Sequence, residues 1–515
     1  MNKQGRVENS IKNSSLGIIA QVSNILLGLL VRTFFIHYLD KAYLGANGLF
    51  TNVLTMLSLA EMGVGSAIIY NMYKPIANND YKQIAKLMNL YKKAYSIIGC
   101  IVGILGVCLI PILPYIINGK SGVENITLIY ILYLANTVSS YFFAYKRSIF
   151  SADQRDRVLQ IFKLLGYIVR SGLQIAVLVV LKNFILYLVI QILLTLIENI
   201  AVSIYADKCY PFLKEYRKEL LSKKECKPIF DNIKALFIYK IGTTALDGTD
   251  NIIISTIDGI TSVGIFSNYT FITSSLHTIL NQISNAIKFS IGNFIAKEKE
   301  ERHEELLNKI TFLNFILYGL VFVGSMAVIN PFISLWAGKD YVLDYSIVFV
   351  HCLNIYISGM MNSIWTFRST MGLFVHGKWR PLISAVINLV VSIWWATRIG
   401  LLGVLLGTTF TRVVTNVWFD PLIVYKHGLN KKPYRYYLRW IIYLAVCIID
   451  ITIVVLLKKL LGFTGVFAIF VYGIISVLIF AMSVFVLFNK TQEFKYLTNF
   501  LLKTLKKLLG RKKNG

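Results

Sequence analysis

The chain has 515 residues, 56% of them apolar and only 15% charged, with a mean hydropathy of +0.62. That balance excludes a soluble globular protein and points to a chain that crosses a membrane many times. Lys and Arg number 53 against 26 acids, a formal charge of +27, but the basic residues gather in alternate loops, which argues for membrane topology and against nucleic-acid binding.

A membrane helix needs about 20 mostly apolar residues, and the chain has room for fourteen. In chain order the predicted spans are 12–39, 43–73, 94–117, 125–145, 158–181, 183–206, 231–257, 262–296, 306–335, 346–373, 381–398, 401–425, 437–457 and 464–488. Met1 is followed by polar residues and the first apolar run is long enough to span, so no cleavable signal peptide is expected. With both termini cytoplasmic, the external loops carry only Lys41, Lys120, Lys182, Lys339, Arg398, Lys458 and Lys459, a strong positive-inside bias. The expected fold class is therefore all-α, polytopic, N-in and C-in. The six cysteines are scattered without redox or zinc spacing and read as packing residues.

The two halves resemble each other. "GLFTN" at 48–52 returns as "GIFSN" at 264–268, each after a short Asp-containing external turn and each opening a long span. Six helices per repeat is an even number, so the copies are parallel. The expected organisation is a six-helix bundle over 1–206, a basic cytoplasmic linker at 207–230 and a second bundle over 231–430. An extra helix pair at 431–490 and a basic amphipathic tail at 491–515 follow. The tail puts Phe494, Leu497, Leu501, Leu505 and Leu508 on one face and lysines on much of the rest, the pattern of a helix lying on an anionic inner leaflet.

Polar stripes run through four of the apolar spans at helical spacing. Span one carries Ser14, Gly17, Gln21, Asn24, Gly28 and Arg32; span two, Asn47, Thr51, Ser58, Glu61 and Gly65. Span seven carries Lys240, Thr243, Thr244, Asp247, Asp250 and Asn251; span eight, Ser267, Ser274, Thr278, Asn281, Asn285 and Lys288. These are the first helix pair of each repeat. A charge facing lipid costs about 3 kcal/mol or more, so the stripes line a wet cavity or pair with one another. Weaker stripes add Gln191, Thr195 and Glu198 in span six, His351, Asn354, Ser358 and Asn362 in span ten, and Arg170 and Arg412 in spans five and twelve. The bland alternative is that Ser, Thr and Asn only bridge helices; the number of ionisable groups favours the cavity. Asp450, near the outer end of span thirteen, is expected to reach the membrane interface.

The cations suggest an anionic, phosphate-bearing ligand, because arginine grips phosphate bidentately and lysine supplies a compact charge. The cargo candidates are Arg32, Lys240, Lys288, Asn24, Asn281, Arg170 and Arg412. Glu61, Asp247, Asp250 and Glu198 are expected to balance those charges or to bind a coupling proton or sodium ion. No P-loop, HExxH, Cys/His cluster or serine elbow is present, so no catalytic residue, resident metal or cofactor is expected.

The stretch "RTFFIHYLDKAYLGANGLFTNVLTMLSLAEMGVGSAIIYNMYKPIANND" at 32–80 resembles the polysaccharide-unit flippases. These form the polysaccharide transporter branch of the multidrug/oligosaccharidyl-lipid/polysaccharide exporter (MOP) superfamily. "DNIIISTIDGITSVGIFSNYTFI" and "VHGKWRPLISAVINLVVSIWWATRIGLLGVLLGTTFTR" are similar to the same family. The resemblance implies two six-helix bundles meeting at a central cavity lined by helices one, two, seven and eight. It implies a flippase that turns an oligosaccharide on polyprenyl diphosphate, for capsule or O-antigen, to the outer face of a bacterial cytoplasmic membrane by alternating access. Arg32 and Lys240, then Lys288, match the cationic cavity positions. Competing expectations are a flippase for peptidoglycan precursors, a multidrug or cation exporter, and a membrane polymerase or ligase. Cations outnumbering acids disfavour the exporter, and short external loops disfavour the enzyme.

Overall fold

The computed structural model describes residues 3–61, 64–117, 122–298, 300–373 and 376–511. They are almost wholly helical, and no strand occurs among them. Ten helical runs among the described residues are long and apolar enough to cross a membrane. One of them, Arg380–Gly428, is 49 residues long and contains predicted spans eleven and twelve. It folds back at Ile399 and Gly400, where Gly400 takes φ 58°, a left-handed turn open to glycine at no steric cost.

Cα packing divides the chain into two compact units. One is Met1–Ser267 with Pro381–Val386; the other is Asn268–Arg380 with Ile387–Gly515. This division falls inside a helix and differs from the expected linker at 207–230, because predicted span seven packs onto elements of the first repeat.

The first unit begins with α1 (Lys3–Tyr38) and α2 (Lys41–Leu57). Asp40, from the short turn after α1, starts α2 by accepting from the Ala42 amide at 2.9 Å, a side-chain cap of the ordinary kind. Predicted span two is not one helix. After α2 the chain makes a single 3₁₀ turn, Ser58–Glu61, before α3 (Val64–Ala77). The Ser58 hydroxyl donates back to the Leu54 carbonyl at 2.7 Å, the kind of local bond that competes with helix continuation. Then come α4 (Tyr81–Leu109), α5 (Leu113–Ile117), α6 (Ile126–Ala144), α7 (Arg147–Ala152), α8 (Asp156–Val180), α9 (Phe184–Cys209) and α10 (Phe212–Glu215). Asp80 and Asn183 cap α4 and α9 on the Gln83 and Leu186 amides, each at 2.9 Å. Predicted span seven is α11 (Lys223–Gly248) and α12 (Asp250–Asp258).

Within this unit α1 lies along α8, α6 packs between α4 and α9, and α11 and α12 pack on α2. The start of α13 (Ile260–Lys297) crosses α2 with the backbones touching. A Cβ on Gly45 would collide with the Ile260 carbonyl, and one on Gly264 with the Lys41 carbonyl. Gly45 lies three residues before the first repeated motif and Gly264 opens the second, and an alanine at either position would force the helices apart.

The second unit takes the rest of α13, then α14 (Glu300–Trp336), α15 (Tyr345–Thr370), α16 (Arg380–Arg412), α17 (Phe419–Ile423), α18 (Tyr434–Leu461), α19 (Gly465–Phe488) and α20 (Gln492–Arg511). Here α14 is the hub, packing against α15, α18, α19 and α20. Phe315 of α14 stacks on Tyr443 of α18 at 4.3 Å, and Phe312 meets Phe488 of α19 edge-on at 5.5 Å. Lipid tails are as apolar as these rings, so the gain is packing fit more than hydrophobic burial, about 0.5–1.5 kcal/mol per well-placed aromatic pair. The tail helix α20 returns to this hub: Lys309 lies 4.3 Å over the Tyr496 ring and Arg439 contacts Glu493 at 3.2 Å.

Candidate functional site

In the first unit, polar side chains of the predicted stripes find partners on neighbouring helices. The half-buried Arg32 of α1 donates through Nη2 to the Ser267 hydroxyl of α13, while that hydroxyl donates to the Gly264 carbonyl at 2.7 Å. Gly48 of α2 lies against the same place: a Cβ there would sit 3.8 Å from Ser267 Cβ and 3.7 Å from Asn251 Nδ2 of α12. One residue earlier on α2, Asn47 accepts from the Tyr133 hydroxyl of α6. Thus Arg32, Asn47, Asn251 and Ser267, one from each predicted stripe, are gathered in one unit.

Glu61 sits at the end of the 3₁₀ turn between α2 and α3, half-buried. The Tyr95 hydroxyl of α4 donates to its Oε1, and the Tyr91 hydroxyl, one turn away, donates to Tyr95 at 3.1 Å. The Tyr141 ring packs edge-on against Tyr95 at 5.7 Å. An interrupted helix leaves backbone groups and a carboxylate together at membrane depth, which is tolerated where protein or water satisfies them.

Glu198 of α9 is held differently. Its side chain is 8% exposed, with Arg147 Nη2 at 2.6 Å from Oε1 and Arg170 Nη2 at 3.3 Å from Oε2. The Arg170 guanidinium also lies 5.3 Å over the Tyr167 ring. This places Arg170, a cargo candidate, in an ion triad with Glu198. Arg147, which sequence reasoning counted only as a loop cation, completes it. Asp250 stands half-buried in the first turn of α12, and Asn24 is half-buried on α1. The Lys240 and Asp247 side chains lie outside the described residues.

The second unit holds the remaining candidates. Asn281 of α13 accepts from Tyr318 at 3.3 Å and from Asn362 at 3.1 Å, and it meets His277 Nδ1 at 3.0 Å. His351 of α15 meets the Thr273 hydroxyl at 2.9 Å. Arg412, at the end of α16, donates to the Asn354 carbonyl at 2.6 Å, and Asn354 in turn donates to the Leu405 carbonyl at 3.0 Å. Lys288 is exposed on α13.

Two features of this unit depart from the sequence reading. Asp450 does not reach the interface: it is 1% exposed on the face of α18 that packs against α19, where the Ser483 hydroxyl donates to it at 2.6 Å. And a buried polar cluster went unforeseen. Asp420 of α17 is fully buried and accepts from Arg368 at 2.7 Å and Trp365 at 2.9 Å, with Arg380 Nε at 3.2 Å. Arg380 also donates to Asn416. Two π-helical turns, Val413–Val417 and Val424–Gly428, flank α17. Arg368 and Arg380 read as ordinary loop cations, and only the odd acid at 420 in an apolar run signalled a partner.

Three structural likenesses give the fold. The lipid II flippase MurJ, inward closed, matches with TM-score 0.68 and 14% identity over 92% of this chain and 98% of that one. An inward-facing multidrug resistance MATE family transporter matches with TM-score 0.56 and 16% identity over 80% and 99%. A MOP superfamily transporter from Pyrococcus furiosus matches with TM-score 0.54 and 15% identity over 83% and 97%. No curated protein matches by sequence. The family model described as polysaccharide biosynthesis protein matches residues 10–289, more than half of the chain. The chain therefore belongs to the family described as polysaccharide biosynthesis protein, a multi-pass membrane protein with the fold seen in those three structures.

Proposed function

We propose that the protein is a flippase, not an enzyme, that carries a polyprenyl-diphosphate-linked oligosaccharide from the inner to the outer leaflet of a bacterial cytoplasmic membrane by alternating access. The observation that carries this reading is the bond from Arg32 of α1 to Ser267 of α13, beside Gly48 of α2 and Asn251 of α12, in a chain of this family. A sugar diphosphate cannot enter lipid unaided, because desolvating its charges costs many kcal/mol. Arg32 offers forked donors for the diphosphate, and Asn24, Asn47, Asn251 and Ser267 offer partners for sugar hydroxyls. Lys240 and Lys288 are the next cationic candidates. Glu61 is the candidate for a coupling proton or sodium ion. Capsule and O-antigen repeat units are the cargo this family suggests.

The test is reconstitution in vesicles with a labelled lipid-linked oligosaccharide. Arg32→Ala removes charge-assisted hydrogen bonds worth about 1.5–3 kcal/mol, so the flipping rate at limiting cargo should fall about 10- to 100-fold, with partial recovery in Arg32→Lys. A full rate in Arg32→Ala would overturn the assignment. The likeness to a lipid II flippase favours a second reading, peptidoglycan-precursor flipping; the same vesicles loaded with that precursor decide between the two.

A further inference from the structure

The first unit contains a cavity of about 1220 Å³. It is larger than the ~300–1,000 Å³ of ordinary small-molecule clefts. Its walls are the last turn of α3, the first turn of α4, α7 with its turn into α8, and the end of α9 with α10. These segments belong to the loops that the charge bias assigns to the cytoplasm. None of the four-helix cluster around Arg32 lines it.

The lining has a definite chemistry. Three cations, Lys74, Arg155 and Arg157, face two acids, Asp153 and Glu215. Asp153 is already engaged: the Tyr210 hydroxyl donates to its Oδ2 at 2.8 Å and Arg155 Nε lies 3.3 Å from the same oxygen. Burial pushes the Tyr210 hydroxyl well above its ordinary range, so it stays a donor and keeps Asp153 in place. The ion pair and a hydrogen bond with Tyr210 hold the half-exposed Arg155 side chain at the cavity wall. Aromatic surface lies beside the cations. Tyr81, half-exposed, sits 4.8 Å from the Phe212 ring, and both line the cavity. Guanidinium forks match phosphate oxygens, and aromatic faces match the apolar faces of sugar rings.

We propose that this cavity is a loading site for the glycosyl diphosphate headgroup of lipid-linked cargo, separate from the Arg32 cluster. The proposal rests on the flippase reading. The same chemistry would suit a soluble nucleotide sugar or an anionic phospholipid headgroup, and the test separates these sources.

The full chain is placed in neutral-lipid nanodiscs with polyprenyl-diphosphate-linked N-acetylglucosamine bearing a photoreactive group on the sugar, and crosslinked peptides are mapped. The expected result is crosslinking to the α7–α8 turn and to α10. It should fall about tenfold or more in the Arg155→Gln/Arg157→Gln double variant, since each charge-assisted contact carries about a tenfold effect or more. A fall of about tenfold is expected in Lys74→Gln, whose exposed side chain can change without disturbing packing. Arg32→Ala should keep these crosslinks. Crosslinks confined to α1, α2 and α13, or undiminished in both cavity variants, overturn the loading site while leaving the flippase reading intact. Equal competition by UDP-N-acetylglucosamine or by phosphatidylglycerol overturns the assignment to lipid-linked cargo. No crosslink anywhere in the unmodified chain overturns the flippase reading and the loading site together.

Discussion

Two carboxylates of the first unit, Glu61 and Glu198, both lie in spans predicted from the sequence and are held in opposite ways. Glu198 is clamped between two guanidiniums. Glu61 takes a tyrosine hydroxyl. A clamp of arginines depends on its carboxylate: without Glu198, two cations would stand in a low-dielectric setting with nothing to neutralise them. A hydroxyl partner makes no such demand. Tyr95 can donate to a carboxylate or accept from a carboxylic acid with the same heavy-atom geometry. Glu61 is thus held by a hydroxyl that can bond in either direction, whereas Glu198 is held by two cations. The difference separates a strut from a candidate switch more sharply than the mere presence of charge.

The largest effect should come from breaking the strut. Glu198→Ala leaves Arg147 and Arg170 partly buried with no counter-charge, and loss of one partner from a buried pair costs on the order of 3–5 kcal/mol. Thermal unfolding in detergent should show a large fall in midpoint, and transport per folded molecule should survive. If instead stability is unchanged while transport collapses, Glu198 handles ions or cargo and the comparison fails. Glu198→Gln would also destabilise, by less, because the amide oxygen still accepts from one arginine.

The switch should behave in reverse. Glu61→Gln keeps an oxygen for Tyr95, so stability should change by no more than about 1 kcal/mol. The flipping rate should lose its response to an imposed proton gradient, measured in vesicles with set internal and external pH. A variant that still follows the gradient would strip Glu61 of the coupling role. A variant that unfolds would make it a strut like Glu198.

How much of this was visible beforehand depends on distance along the chain. Glu61 stood out because a lone acid interrupts an apolar run, but Tyr95 lies 34 residues away and a tyrosine in a span looks like packing. The break after Ser58 was hidden because 43–73 is apolar almost throughout. Arg170 and Glu198 were each flagged as buried charges, yet their pairing across α8 and α9 needs three-dimensional register that helical spacing does not give. Arg147, Arg368 and Arg380 were absorbed into the positive-inside count, so the Glu198 and Asp420 clusters lost their cations to a topological explanation. The stripes on spans one, two, seven and eight were readable, since stripe and face follow from 3.6-residue periodicity, but which of their side chains approach one another required coordinates. The close crossing of α2 and α13 was half-readable: the repeated "GLFTN" and "GIFSN" marked the place, while the backbone contact at Gly45 and Gly264 required coordinates.

A third carboxylate sharpens the comparison at the smallest scale. Glu225, exposed in the first turn of α11, forms a reciprocal cap with Ser222: the Ser222 amide donates to it at 2.7 Å, and the Ser222 hydroxyl caps the Glu225 amide at 3.3 Å. Here a hydroxyl meets a carboxylate in water instead of in the membrane. The Ser222 hydroxyl and amide hold the Glu225 carboxyl below its ordinary range. A depressed pKa in the folded state means stability that is present above the unfolded value and is lost as pH falls through the folded one. Amide exchange in the first turn of α11 should therefore be slow at neutral pH and accelerate, relative to its intrinsic rate, only in the acid range below the usual glutamate pKa. Ser222→Ala should remove that acid-range transition and raise exchange at neutral pH, confined to the first turn. Because water screens the charge and replaces the lost donor, transport and global unfolding should not register the change. An equally small response in Glu61→Gln, with gradient coupling intact, would mean that a hydroxyl partner confers no special role inside the membrane. The contrast with Glu198 would then reduce to burial.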